Sequence, residues 1–280
     1  MTLQSFIAQQ SIEDISSRFV KSLAKQSISF SGKQSSGCSS ITTTVWRNMF
    51  PSYYPTFLIK FLMKGNQTTV ISGPQGVGKT TLMASLIELV DPKFTIRTQK
   101  ENIGFLHKLY PNRNIVPFED TTCRYHSEEG QISVFDELKL KEPTFVNQHF
   151  ETLFSIFTHY GKDLSQVVAS LRNSFLQKGL CSDEKDAEQL VVNLIDFNIH
   201  VVRDKDGSRY IERITECVPV SLPNGEQLYE ARNIVELKEG QYVTVHPISQ
   251  QRQEMIECNL SEEDKVAFRA FNTLHWVDET

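Results

Sequence analysis

The sequence predicts an α/β fold built on a mainly parallel sheet, and two observations support this. Short β-type runs alternate with helical stretches between residues 66 and 160, a pattern typical of parallel sheets flanked by helices. After residue 196 the runs become strands joined by hairpin signals, which predicts a β-rich C-terminal part. We therefore expect a short, partly helical N-terminal region over residues 1–65, an α/β domain over 66–215 and a β-hairpin and helix region over 216–280.

The individual elements follow from residue type and periodicity. In the alternating region we expect strands over Thr68–Ser72, Phe94–Thr98, Asn114–Phe118, Gln131–Phe135 and Phe154–Thr158. Apolar residues at helical spacing predict helices over residues 1–30, Phe57–Met63, Lys79–Val90, Leu164–Gln177 and Asp183–Asp196, and a connector over 28–45. Toward the C-terminus we expect strands Asn198–Arg203, Arg209–Glu216 and Tyr242–Val245, turns at Asp206-Gly207 and Asn224-Gly225, and a helix from Ser261.

Composition narrows the class of protein. The chain has 280 residues, of which 39% are hydrophobic, so a sizeable core is expected. A net charge of -5 argues against a dominant nucleic-acid surface. No apolar run approaches the length of a membrane span, and the N-terminus lacks the pattern of a secretory signal. The five cysteines are scattered without a C-x-x-C pair, which predicts neither a zinc site nor a disulfide framework and fits a reducing cytoplasm.

A phosphate-binding loop is the most specific local signal. Residues 73–80 match G-x-x-x-x-G-K-[ST], follow a predicted strand and open a predicted helix. In that context glycines allow several backbone N–H groups to face a polyphosphate, Lys79 reaches the phosphates and the Thr80 hydroxyl binds Mg²⁺. We expect ATP to contact Gly73, Pro74, Gln75, Gly76, Val77, Gly78, Lys79, Thr80 and Thr81.

An acidic pair ends a hydrophobic run further along the chain. Asp136 and Glu137 follow Ile132–Phe135, at the position where P-loop enzymes carry the carboxylates that orient Mg²⁺ and activate water. Asp136 suits the metal role and Glu137 suits the general base. The alternative is an ordinary strand end with acidic residues in the next turn.

Seven stretches of the chain are weak signals singly but form a specific pattern when they are taken in chain order. They are Gly73–Leu82, Val90–Pro92, Ile96–Gln99, Tyr110–Val116, Leu153–His159, Val168–Asn173 and Arg209–Glu216. Together they resemble the secretion ATPases of type II and type IV systems, and most of all the TadA/CpaF branch that powers pilus assembly. The resemblance covers roughly residues 60 to 250.

The resemblance implies RecA-like P-loop domains in a hexameric ring, with ATP and Mg²⁺ between subunits. Hydrolysis in that family moves pilin or secreted protein, so it also implies a cytoplasmic protein held at the inner membrane by platform proteins. Residue by residue, Lys79 and Thr80 match the groups that hold phosphate and Mg²⁺. Glu137 matches the glutamate of the family's second motif, and His159 matches the histidine that senses the phosphate end of the nucleotide.

The chain also departs from the family pattern. Asp136 stands where the family has glycine, Gln99-Lys100-Glu101 replaces a more acidic box, and Lys139 replaces an arginine. Lysine keeps the charge but lacks the bidentate fork of arginine. Residues 1–65 are too short to hold the family's whole N-terminal domain.

These departures keep other functions open. A catalytically degenerate scaffold subunit is one alternative, and a RecA-like nucleic-acid motor is another, although the acidic composition argues against the latter. His159 could be a purely structural histidine at a strand end. Arg172, Arg209 and Arg213 could serve contacts between subunits or could pair with nearby carboxylates.

Overall fold

A nine-stranded sheet carries helices on both faces and organises the described part of the chain. The computed structural model describes residues 53–119, 130–137, 151–221 and 227–275. In chain order the elements are α1 Tyr53–Lys64, β1 Thr69–Ser72, α2 Lys79–Leu86 with a 3₁₀ turn Ile87–Leu89, β2 Thr95–Thr98, α3 Lys100–Leu109, β3 Ile115–Pro117, β4 Gln131–Phe135, β5 Ser155–His159, α4 Leu164–Gln177, α5 Glu184–Leu194, β6 Phe197–Arg203, β7 Arg209–Ser221, β8 Gln227–Lys238, β9 Gln241–Thr244, α6 Gln250–Asn259 and α7 Glu262–His275.

The strand order brings the ends of several parallel strands to one edge. The sheet runs β3-β2-β4-β5-β1-β6-β7-β8-β9, with parallel pairing from β3 to β6 and antiparallel pairing from β6 to β9. Strand β5 lies between β1, which precedes the phosphate-binding loop, and β4, which precedes the acidic pair. In register, Ser72 of β1 is paired with His159 on one side and His200 on the other. The described residues form the α/β fold with a parallel and mixed sheet that the sequence predicts.

Different helices cover the two faces of the sheet. Helices α1, α2, α6 and α7 pack on one face, where the rings of Phe61 and Phe268 meet edge to face with centroids 5.1 Å apart. Helices α4 and α5 cover the other face through buried residues such as Leu171 and Val191. Because parallel strands are buried on both faces, β1, β2, β4 and β5 have no exposed positions. Polar residues such as Arg97 and Thr98 of β2 are therefore buried together with the apolar ones.

Most of the predicted elements are confirmed, with shifts at their ends. The predicted helix over Lys79–Val90 is wrong in its last turn, because the α-helix ends at Leu86 and tightens into the 3₁₀ turn. Helices α3 and α6 and strand β8 were missed. Helix α3 was missed although Ile103, Leu106 and Leu109 are at helical spacing and pack against the core. Helix α6 buries only Arg252 and Ile256 and displays no apolar stripe.

The turn at Asp206-Gly207 is confirmed as the β6–β7 connection, where Gly207 has a φ of 93° and Asp204 donates its N–H to the carbonyl of Ser208. The predicted helix over 1–30, the connector over 28–45 and the turn at Asn224-Gly225 lie outside the described residues. The division of the chain at residues 65 and 216 stays a prediction, and β7 runs without a break through residue 216. None of the described helices combines the length and the hydropathy needed to cross a membrane.

A buried ionic cluster joins α6 to the opposite end of the sheet from the phosphate-binding loop. Arg252 lies 2.5 Å from Asp196 and donates to Gln67 at 3.2 Å, and its Nε is 3.9 Å from Glu216. Glu216 is only 1% exposed and also accepts hydrogen bonds from the N–H and hydroxyl of Ser249. One guanidinium therefore compensates two carboxylates at the boundary between the sheet and the C-terminal helices.

We expect Arg252→Met to lower the free energy of unfolding by about 3 kcal/mol, because removing one member of a buried ion pair leaves a desolvated charge without compensation. The measurement is urea-induced unfolding of the full chain. Arg269→Met is the control, since Arg269 is 64% exposed and its pair with Glu257 is worth less than about 1 kcal/mol. Equal losses in the two variants would contradict this reading of the cluster.

Candidate functional site

The loop over residues 73–80 connects β1 to α2 as the sequence predicts. Gly73, Gly76 and Gly78 all have positive φ values, of 148°, 76° and 96°. A Cβ on Gly73 would collide with the carbonyl oxygen of Val201 on β6, so the close approach of these two strands demands glycine there. The loop is bent into the conformation that turns backbone N–H groups inward.

The N-terminus of α2 is open to an anion. The helix begins at Lys79 after Gly78, no side chain caps it, and its first turn contains no acidic residue. Uncapped N–H groups and the helix dipole favour a negative charge at such an end. Of the other predicted loop contacts, Pro74, Gln75 and Gly76 are exposed, whereas Val77 is buried and Thr81 is half-buried.

Lys79 is buried inside its own loop. Its Nζ donates to the carbonyl oxygens of Gly73 at 3.1 Å and Pro74 at 2.8 Å. Burial lowers the pKa of Lys79 below its usual value, while the charges of Glu137 and Asp136 oppose that shift. The ammonium is therefore a partly desolvated cation between a phosphate-binding loop and two carboxylates.

Asp136 connects three neighbouring segments of the site. Both of its carboxylate oxygens face the Thr80 hydroxyl, at 2.8 and 3.0 Å, and Oδ1 also accepts from the Thr158 hydroxyl at 2.9 Å. The side-chain amide of Gln99 bonds the backbone N–H and C=O of Asp136, at 2.8 and 3.1 Å. The structure thus brings together Thr80 and Asp136, the two residues that the sequence assigns to Mg²⁺.

Glu137 has a left-handed backbone, with a φ of 44°. Such a conformation is uncommon for residues other than glycine and is often found at functional sites. Its N–H donates to Thr158 Oγ1 at 2.6 Å, which fixes the turn after β4. The carboxylate reaches the loop side of the sheet edge, where its charge acts on Lys79.

Tyr160 contacts two of the three predicted catalytic residues, Lys79 and Glu137, and was missed in the sequence. Its ring centroid lies 4.2 Å from Lys79 Nζ, a cation–π contact, and its hydroxyl donates to a carboxylate oxygen of Glu137. That hydrogen bond is the main cause that raises the pKa of Tyr160. The sequence gives no signal for this role, because a tyrosine after a strand is most often an ordinary surface residue.

His159 lies at the end of β5 and contacts helix α4. Its Nε2 is 3.0 Å from the hydroxyl of Ser170 on α4. Burial, with the nearby charge of Lys79, lowers its pKa to about 4, so the ring is neutral. The charge of Lys79 is close enough to lower the pKa of His159, but the observed hydrogen bond of His159 joins β5 to helix α4.

A second buried histidine, His200, stands on the other side of β1. Its Nδ1 is 2.9 Å from the Ser72 hydroxyl, and burial together with Arg213 lowers its pKa to about 4. Two of the three arginines considered for subunit contacts have partners within the chain. Arg172 pairs with Glu184 and Glu188, and Arg213 pairs with Glu212 and donates to the Lys162 carbonyl.

The two neutral histidines make a testable contribution to pH dependence. An unfolded histidine has a pKa of about 6.5, so between that pH and about pH 4 the unfolded chain binds protons that the folded chain does not. The free energy of unfolding should therefore fall as the pH drops through this window, by at most about 3 kcal/mol for each histidine. Urea unfolding should show a shallower decline for the variant His159→Gln with His200→Gln, and an unchanged decline would contradict the assignment.

Comparisons with known proteins give distant structural neighbours. No protein-family model and no curated protein matches the chain. Similar solved structures include the VirB11 ATPase of the Brucella suis type IV secretion system in complex with sulphate (18% identity, TM-score 0.46, 66% of this chain and 57% of that one). The Yersinia pseudotuberculosis ATPase DotB is also similar (17% identity, TM-score 0.43, 57% of this chain and 45% of that one). So is the pilus retraction motor PilT with bound ADP (11% identity, TM-score 0.35, 76% of this chain and 58% of that one). This chain spans about half the length of these structures.

Proposed function

We propose that this chain is a Mg²⁺-dependent ATPase. The observation that supports this most directly is the meeting of three groups at one sheet edge: the buried ammonium of Lys79, the Thr80–Asp136 hydrogen bond, and the carboxylate of Glu137. Each group comes from a segment that the chemistry of phosphoryl transfer requires, namely the phosphate-binding loop and the end of a neighbouring strand.

The loop fits a triphosphate. The positive φ values of its glycines and the uncapped start of α2 supply N–H donors, and Lys79 supplies the cation. A phosphate on Lys79 would replace the loop carbonyls that the ammonium now contacts and would compete with the ring of Tyr160 for the same face. Binding and displacement of Tyr160 are therefore coupled.

The residues present also fit Mg²⁺. This ion is usually held by one or two carboxylates together with substrate phosphates and water, so the protein does not need a complete cage of its own. The Thr80 hydroxyl and Asp136 carboxylate supply such a partial set, and the described residues contain no group of three His, Cys, Asp or Glu that could hold a metal alone. Bound there, the ion would neutralise charge that develops on the phosphates.

Glu137 is the candidate general base. It follows β4 directly, its turn is fixed by Thr158, and it stands on the loop side of the sheet beside Lys79. A carboxylate there can orient a water and accept its proton as the phosphoryl group is transferred. The hydroxyl of Tyr160 occupies one of its oxygens and would have to be released first.

The biological role that we propose rests on the ordered sequence motifs. By that resemblance the chain is a motor of a type II or type IV secretion system or of Tad-type pilus assembly. It would form a hexamer with ATP at subunit interfaces, act in the cytoplasm and be held at the inner membrane by platform proteins. His159 would sense the phosphate end of the nucleotide if it exchanged Ser170 for that ligand.

A scaffold subunit of the same apparatus is the second candidate, and Gln99 is the observation that favours it. Gln99 stands where the secretion ATPases carry an acidic box, and both polar atoms of its side-chain amide hydrogen-bond the backbone of Asp136. A carboxylate at that point would be available for metal-bound water, whereas this amide is not.

Lys79→Ala should reduce ATP turnover by about 100-fold or more, because the transferred phosphoryl group loses its main cation. The measurement is Mg²⁺-dependent phosphate release by the full chain over a range of protein concentrations, since the proposed ring would form only at sufficient concentration. Lys205→Ala, in the exposed β6–β7 turn, is the matched control. Absence of turnover in the wild type at every concentration would favour the scaffold.

Glu137→Gln should keep nucleotide affinity but lower turnover by about 100-fold, because glutamine retains the shape of the side chain and cannot accept a proton. Calorimetry with ATP and steady-state phosphate release separate the two effects. Glu239→Gln is the control, since Glu239 shares the positive φ, at 50°, and lies in the exposed β8–β9 turn. Wild-type turnover in Glu137→Gln would assign the base to another residue.

A further inference from the structure

Strand β6 contacts the start of the phosphate-binding loop at two adjacent positions. His200 Nδ1 is 2.9 Å from Ser72 Oγ, and Ser72 is the last residue before Gly73. The next residue of β6, Val201, places its carbonyl oxygen where a side chain on Gly73 would have to lie. The first turn of the loop is thus fixed by a side chain and by the backbone of the same strand.

A bulge in the next strand places an acidic group beside His200. Across the β6–β7 pairing, His200 is opposite Arg213 and Val201 is opposite Ile211, so Glu212 is an extra residue on β7. Bulges turn a side chain away from its regular direction, and here Glu212 Oε2 comes within 3.7 Å of His200 Nε2. Arg213 Nη1 in turn lies 3.2 Å from Glu212.

This arrangement assigns the tautomer of His200. A carboxylate near Nε2 favours a proton on that nitrogen, which leaves Nδ1 as an acceptor. The Ser72 hydroxyl is then the donor of the 2.9 Å hydrogen bond. The order Glu212, His200, Ser72 matches that of a hydrolytic triad, but Ser72 has no exposed surface and no substrate can reach its oxygen.

We propose that His200 is a positioning residue, which holds the first turn of the phosphate-binding loop through Ser72 and connects it to the charged bulge of β7. The proposal rests on the proposed nucleotide binding of the loop. The same bulge also reaches the segment after β5, because Arg213 donates to the carbonyl of Lys162, two residues beyond Tyr160. His200 therefore connects the phosphate-binding loop to the segment that carries Tyr160.

Two conservative variants separate positioning from bulk packing. Asparagine carries its polar atoms at the position of Nδ1, so His200→Asn can still bond Ser72. Glutamine carries them near the position of Nε2, so His200→Gln keeps polarity near Glu212 but loses the bond to Ser72. The two variants are alike in chemistry and differ in which ring nitrogen they replace.

The test is calorimetric binding of a non-hydrolysable ATP analogue with Mg²⁺, together with urea unfolding of each full-length variant. We expect His200→Gln and Ser72→Ala each to weaken binding about tenfold, because the first turn of the loop is no longer held in place and must be ordered when the nucleotide binds. His200→Asn should remain within about threefold of the wild type. The double variant Ser72→Ala with His200→Gln should be no weaker than either single one, because both remove the same bond.

Three outcomes would overturn the inference. His200→Gln could bind the analogue as tightly as the wild type while folded, His200→Asn could be as weak as His200→Gln, or the two single effects could add in the double variant. If the wild type itself binds no triphosphate, the proposed function fails and this inference fails with it, whereas tight wild-type binding with unaffected variants would refute the positioning role alone.

Discussion

The parallel pairing of β1 with both β5 and β6 is the constraint on which the rest of the site depends. It aligns Ser72 with His159 and with His200, and it places β5 between the phosphate-binding loop and the acidic pair. Because parallel strands end at the same edge, the loop, Thr158 and the carboxylate of Asp136 meet within hydrogen-bonding distance. A different strand order would separate them by several strand spacings, each nearly 5 Å.

Burial on both sides of that edge sets the charge state of the site. The sheet and helix α4 remove His159 and His200 from water, and Lys79 is nearby, so both rings are neutral. Lys79 is the cation that contacts the loop carbonyls, and its own pKa is lowered by the same burial. A desolvated cation interacts with phosphate more strongly than a hydrated one, because less solvent screening remains around it.

Sequence reasoning recovered the parts of the site that are local in the chain. The loop, Lys79 and the pair Asp136–Glu137 each carry a pattern that fits within a few residues and follows a recognisable strand. Gln99, Tyr160 and His200 could not be found this way, because their roles depend on which strands are neighbours and on the register between them. The bulge at Glu212 is an extreme case, since a single extra residue on β7 decides which side chain faces His200.

Asn198 is fully buried, and no described residue hydrogen-bonds its side-chain amide. Nothing in the structure explains a buried amide at this position.

The structure shows what Asp136 contacts at the position where the secretion ATPases that the sequence resembles have glycine. Glycine could not replace its carboxylate, which accepts hydrogen bonds from Thr80 and Thr158 and so connects the loop to the ends of β4 and β5. With Glu137 it also puts two negative charges beside the single ammonium of Lys79. In the proposed function, a divalent cation would offset the repulsion between these carboxylates and a polyphosphate, and Asp136 with Thr80 would bind that cation. If the proposed function holds, the aspartate at this position therefore increases the dependence of phosphate binding on the metal.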